Sequence, residues 1–166
     1  MNRLVPLCLL ALVPALGCTR DKSNPAPPAP PAGGSGGADP TTLTYAPALG
    51  VNLAEATKLP SGVYIKDQVV GAGPAVAEGQ QIAVHYTGWL PDGTRFDGNE
   101  GGDPYSFRLG AHEVIPGWEQ GVAGMHVGGK RQLIIPPALG YGAGGNGPIP
   151  PNAVLVFTVE VVSATP

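Results

Sequence analysis

Chemistry in a protein needs groups that attack, carry protons, hold a metal or shape a cavity, and this 166-residue chain is poor in the first three. Its three histidines, His85, His112 and His126, stand apart, without HxxxH spacing or a cysteine neighbour, so the pattern of a metal triad is missing. His85 lies between Val84 and Tyr86 in an alternating run and reads as an outer-face strand residue. There is no GxSxG elbow. The glycine loop from Gly140 to Gly147 lacks the Lys-Ser/Thr ending and following helix of a phosphate cradle. Cys8 and Cys18 have no CxxC or Cys/His setting. No metal and no cofactor is expected. What the chain does hold is aromatic and β-branched surface: Tyr86, Phe96, Tyr105, Phe107, Val114, Ile115, Trp118, Tyr141, Ile149 and Phe157. Singly, each reads most simply as core. Yet Tyr141 and Ile149 fall in a Gly/Pro loop, where a domain has little structural use for them, and Asp97 adjoins Phe96. An apolar concavity with a few polar handles is the normal form of a ligand site.

These residues need elements to hold them. Gly62 to Lys66 is β-rich, and Gln80 to Thr87 alternates with Ile82, Val84 and Tyr86 on one face. Pro91-Asp92-Gly93 signals a turn, from which the chain returns through Thr94 to Phe96. Tyr105, Phe107 and Leu109 alternate again, and Lys130–Ile135 and Val154–Val162 are further strands. One helix is predicted over Ile115–Met125, with Pro116 in its first turn and Trp118, Val122 and Met125 on one face. Two internal glycines make it a poor helix in isolation, so packing on a sheet must hold it. Five or six strands with one short helix predict an α+β domain, an antiparallel sheet curled around that helix.

The first 58 residues have another character. Arg3 precedes an apolar stretch from Leu4 to Leu16 that is interrupted by Pro6 and Pro14. It reads as an export signal, residues 1–17, too short for the ~20 residues of a spanning helix. Ala15-Leu16-Gly17-Cys18 resembles a bacterial lipobox, although that pattern prefers Leu where Ala15 stands and a small residue at Leu16. The alternatives are cleavage and lipidation at Cys18, anchoring the chain by acylation, or ordinary cleavage after Ala15. No acidic residue directly follows Cys18, which resembles the outer-membrane pattern and implies an envelope location facing the periplasm; an unlipidated form would be secreted or periplasmic. Residues 18–58 form a tether and lead-in: Thr19–Pro47 carries seven prolines and four glycines in 29 residues. Leu53–Lys58 is a candidate for a short helical or irregular lead-in. The formal net charge of −3 and the lack of any Lys/Arg run beyond Lys130-Arg131 argue against nucleic acid as a partner.

Val84-His85-Tyr86-Thr87-Gly88, Asp92-Gly93 and Phe96-Asp97, followed by Leu109-Gly110, Val114-Ile115-Pro116-Gly117-Trp118-Glu119, Gly121-Val122, Met125, Tyr141-Gly142, Ile149-Pro150-Pro151-Asn152-Ala153 and Leu155-Val156-Phe157, resemble the FKBP family of prolyl isomerases over residues 59–166. The resemblance implies a pocket floored by Trp118 and walled by Tyr86, Phe96, Phe107 and Phe157. Tyr105 would stand at the rim, Val114 and Ile115 would meet the ligand through their backbone, and Tyr141 and Ile149 would overhang. Asp97 matches the family's polar pocket residue. The loop after Tyr141 is short and holds Gly145-Asn146-Gly147 where some relatives present bulkier side chains, implying an open rim. X-Pro segments of unfolded or partly folded envelope proteins are the implied substrates, macrolide immunosuppressants the implied inhibitors, and a monomer the expected state. Tyr86, Phe96, Asp97 and Tyr141 are the expected catalytic group. The rival reading is a binding module that holds proline-containing clients without turnover, with Glu100-Gly101-Gly102-Asp103 as a mobile acidic rim.

Overall fold

A computed structural model describes residues 38–166 of the chain; the expected leader, Cys18 and the proline run from Asn24 to Pro31 lie outside the described residues. Among the described residues there are seven strands and one α-helix: β1 Thr57–Lys58, β2 Tyr64–Val69, β3 Gln81–Trp89, β4 Arg95–Gly98, β5 Tyr105–Arg108, α1 Pro116–Val122, β6 Lys130–Ile135 and β7 Leu155–Thr165. All pairs are antiparallel, in the order β1-β2-β6-β7-β3-β4, and β5 shares the free edge of β3 with β4. The α+β architecture expected from the sequence is the one observed. The strand count exceeds five or six because the two-residue β1 lies where a helical or irregular lead-in was expected; Thr57 pairs with Ile65 and Lys58 with Tyr64.

Period-two patterning places the core. Ile82, Val84 and Tyr86 of β3, and Leu155, Phe157, Val159 and Val161 of β7, turn inward and are buried around α1. β7 runs three residues past Val162 because Gln81 at the start of β3 pairs with Thr165. The helix is shorter than the predicted Ile115–Met125. Ile115 is its N-cap, and Ala123 is extended with Gly124 at φ +73°, so the helix stops at Val122. Met125 still reaches the core through that turn.

The two helical glycines face the sheet. A Cβ on Gly117 would lie 2.4 Å from Ile135 Cγ2, and one on Gly121 would lie 2.7 Å from Leu133 Cδ2. Poor helix propensity is thus exchanged for close approach to β6. Arg131 of β6 secures the far end: its Nη1 donates to Gly121 O at 2.9 Å and Ala123 O at 3.4 Å. Its Nε and Nη2 donate to the Asp67 carboxylate of β2. A cation at a helix C-terminus satisfies end carbonyls and complements the helix dipole.

The other face of the sheet is also covered. Ala38, Leu43, Tyr45, Val51, Leu53 and Ala56 pack on Tyr64, Ile134 and Val154. Gln132 Nε2 donates to Leu49 O at 2.7 Å, and Ala46 N–H donates to Pro91 O at 2.8 Å, in the turn between β3 and β4. The linker-like composition of Thr19–Pro47 therefore does not describe residues 38–47, which form part of a strap across the sheet. Proline and short apolar side chains suffice for this because the sheet supplies Tyr64 and Ile134 beneath them.

Candidate active site

Three strands meet α1 at Trp118, and a fourth extends the wall. The first turn of α1 aims its indole into the sheet, where it is fully buried. Tyr86 from β3 meets it edge-on at 4.9 Å between centroids, Phe157 from β7 at 5.3 Å and 87°, and Phe107 from β5 at 5.8 Å. Phe96 from β4 extends the wall, 5.4 Å from Phe157 at 89°. Tyr105 stacks on Phe107 at 5.8 Å and lies edge-on to Tyr86 at 6.2 Å. The edge-to-face pairs among these suit the ring quadrupoles, and each ring is fixed by its neighbours. Phe96 and Tyr105 remain partly exposed, whereas Tyr86, Phe107 and Phe157 are buried.

Gly88 makes the wall possible. A Cβ there would lie 2.7 Å from both Phe96 Cζ and Phe157 Cε1, so a side chain in mid-strand would push the two rings out of place. Val114 and Ile115 are buried just before α1. The turn leading to them is held by Glu119, whose Oε1 accepts from the His112 N–H at 2.7 Å and whose Oε2 lies 2.9 Å from His112 Nδ1. Tyr141 and Ile149 are buried in the same core cluster. Their loop is braced by reciprocal Asn146–Ile149 backbone bonds of 2.9 Å and by Asn152 N–H donating to Gly142 O at 2.8 Å. Two 3₁₀ turns, Pro137–Leu139 and Gly142–Gly144, replace the irregular loop expected there.

The polar group of the site is small. Tyr86 donates its hydroxyl hydrogen to Asp97 Oδ2 at 2.9 Å, and Gly98 N–H donates to Asp97 Oδ1 at 2.7 Å. Burial, then the Asp97 charge and this hydrogen bond, raise the Tyr86 phenol far above the ordinary tyrosine range. Tyr141 is pushed up to about 12, by burial first, with the Asn146 hydrogen bond opposing and the Asp97 charge adding to it. Burial, and secondarily Glu113, also raise Tyr105. The sign follows: a raised phenol favours the protonated fold, so its stabilisation is complete below about pH 10 and is lost as pH rises through the folded value. Ultraviolet titration of the intact chain should show Tyr45, also pushed up to about 12 by burial, and Tyr86 and Tyr141 ionising only with alkaline unfolding. A full tyrosinate signal at pH 10.5 in a folded protein would contradict it.

The structure thus sets Tyr86, Phe107 and Phe157 against one indole, with Phe96 and Tyr105 flanking them, Tyr141 in the same core cluster and Asp97 bonded to the Tyr86 hydroxyl; Trp118 Nε1 is buried with no hydrogen-bond partner there. The histidines are elsewhere: His112 pairs with Glu119, His126 Nδ1 lies 2.8 Å from Gly73 O, and His85 sits on the strand face beside a small cavity of about 150 Å³ with Glu100, Lys130 and Glu160. Asn99 and Glu119 are the polar residues whose roles sequence reasoning missed. Glu119 had a signal, its carboxylate within a first helical turn after a histidine loop. Asn99, in a Gly-rich stretch, had none.

The model of the family described as FKBP-type peptidyl-prolyl cis-trans isomerase matches residues 73–162. The chain is 52% identical over 106 residues to FK506-binding protein 4 of Dictyostelium discoideum, covering 63% of this chain and 29% of that protein. It is 48% identical over 103 residues to the FK506-binding protein of Neisseria meningitidis serogroup B, covering 61% of this chain and 94% of that one. The chain thus spans under a third of the Dictyostelium relative but nearly all of the Neisseria one. Among solved structures, FkpA from Escherichia coli superposes with a TM-score of 0.63 at 40% identity, covering 68% of this chain and 52% of that chain. The aromatic cluster, the antiparallel sheet around the one helix among the described residues and these matches agree, and the chain belongs to the FKBP-type peptidyl-prolyl cis-trans isomerase family.

Proposed function

We propose that this chain accelerates cis-trans exchange of X-Pro peptide bonds in exported proteins. The observation that carries the reading is the convergence of Tyr86, Phe107 and Phe157 on Trp118, with Phe96 edge-on to Phe157 and Asp97 bonded to the Tyr86 hydroxyl. Twisting a peptide bond costs ~18–20 kcal/mol because C–N resonance is lost. Rotation about X-Pro accordingly takes tens to hundreds of seconds. No covalent bond changes, so no nucleophile is needed. The rate rises if the twisted amide is bound better than either planar form. Out of conjugation, the carbonyl is less polarised and sheds water more readily, which suits an apolar cup.

In this reading the proline ring rests over Trp118, clamped by Tyr86, Phe96 and Phe157, with Phe107 behind the floor. Tyr105, Val114, Ile115 and Ile149 bound the flanking residues. Tyr141, whose phenol burial pushes up to about 12, donates to a substrate carbonyl, and Asp97 holds Tyr86 in register. The substrates are X-Pro segments of unfolded or partly folded envelope proteins, and macrolide immunosuppressants would compete for the same cup. We further propose that the chain works in the bacterial cell envelope as a monomer, held by lipidated Cys18 and facing the periplasm.

The test is cis-to-trans exchange in a proline peptide, followed with the intact chain with and without a macrolide. Catalysis abolished by the macrolide is expected. Peptide binding without acceleration would replace the enzyme by a tethered holding module. Mass spectrometry of the mature N-terminus separates acylated Cys18 from cleavage after Ala15.

A further inference from the structure

The free edge of β3 changes partner midway. β5 pairs with Gln81–Val84 and β4 with Thr87–Trp89, so the Val84 carbonyl and both peptide groups of Tyr86 fall between two strands. Asn99, just past β4, occupies that gap. Its N–H donates to Tyr86 O at 3.0 Å, while its Oδ1 accepts from Tyr86 N–H at 2.7 Å. Its Nδ2 donates to Val84 O at 3.1 Å and to Asp103 O at 2.9 Å. A carboxamide here takes the place of a strand's peptide group. The backbone carbonyl of Asn99 accepts from Gly102 N–H at 3.0 Å and starts the loop. Only one amide orientation fits, since one backbone donor and two carbonyls face it. Asn99 is buried at 8% exposure, so water is a poor substitute.

The same short segment holds Tyr86 twice. Asn99 fixes its backbone, and Asp97, two residues earlier, accepts from its hydroxyl at 2.9 Å. We propose that Asn99 is a positioning residue that sets Tyr86 and Asp97 against Trp118, so that the cup keeps its catalytic shape. This deepens the isomerase reading and rests on it for its kinetic consequence alone.

Two measurements on the intact chain test it. Amide hydrogen exchange of Asn99→Ala should accelerate at Tyr86 by at least about tenfold, while Leu133 and Val159 keep their wild-type protection. In the peptide assay, Asn99→Ala should lose about tenfold in kcat/KM. In a Tyr86→Phe background, where the hydroxyl link to Asp97 is already absent, the same change should cost under about twofold. An equal loss in both backgrounds, or unchanged exchange at Tyr86, overturns the proposal. Should Asn99→Ala not fold, Asn99→Asp retains the acceptor for Tyr86 N–H and loses both donors; it enters the same cycle under the same criterion. If the wild-type chain is inactive, the isomerase reading fails separately, and exchange at Tyr86 alone decides the positioning claim.

Discussion

With Phe96 and Asp97 both changed to alanine, kcat/KM for proline-peptide exchange falls about a hundredfold, while the folded baseline is preserved. The two residues serve different parts of one event. Phe96 closes the cup beside Phe157, and Asp97 holds the Tyr86 hydroxyl. Both are only partly buried, so their loss should lower stability by about 1–2 kcal/mol. A large kinetic loss with a modest melting shift is therefore the signature expected of residues acting in the site. Normal kcat/KM in the double variant would remove both from the mechanism.

The largest stability effect should come from two methyl groups. Alanine is favoured over glycine inside a helix by about 1 kcal/mol at each position. At Gly117 and Gly121 packing opposes that gain, because the new carbons would sit 2.4 Å from Ile135 Cγ2 and 2.7 Å from Leu133 Cδ2. Both neighbours are fully buried. Overpacking of this kind costs about 1–3 kcal/mol per site, and more when backbone must move. The Gly117→Ala/Gly121→Ala chain should unfold about 3 kcal/mol more easily in denaturant, with Trp118 lifted from its ring contacts. Gly144→Ala, where nothing lies within 4 Å, is the control and should change stability by under about 0.5 kcal/mol. A double variant as stable as the control would show that α1 slides freely on β6.

The sequence made the sheet legible because its strands alternate: Lys130–Ile135 has the same bounds in both readings, and the inward residues of β3 and β7 follow period two. The ring cluster was legible because its residues match a family pattern; composition alone would have left each one in the core. Three features were not legible, for separate reasons. The end of α1 depends on the backbone of Ala123 and Gly124 more than on apolar spacing, so Met125 looked helical. The strap hides in linker-like composition, since its ordering comes from the sheet beneath it. Asn99 acts by replacing a peptide group at a strand switch, a role visible only when the partners of β3 are known.

The strap from Ala38 has a mechanical consequence for the sheet beneath it. A pull on Ala38 would be spread over Tyr64, Ile134 and Val154, with the Gln132–Leu49 and Ala46–Pro91 bonds sharing the load. The indole and its surrounding rings belong to the core cluster on the opposite face of the sheet, away from that pull. Tension on the strap should reach the β3–β4 turn, through the Ala46–Pro91 bond, before it disturbs the ring cluster.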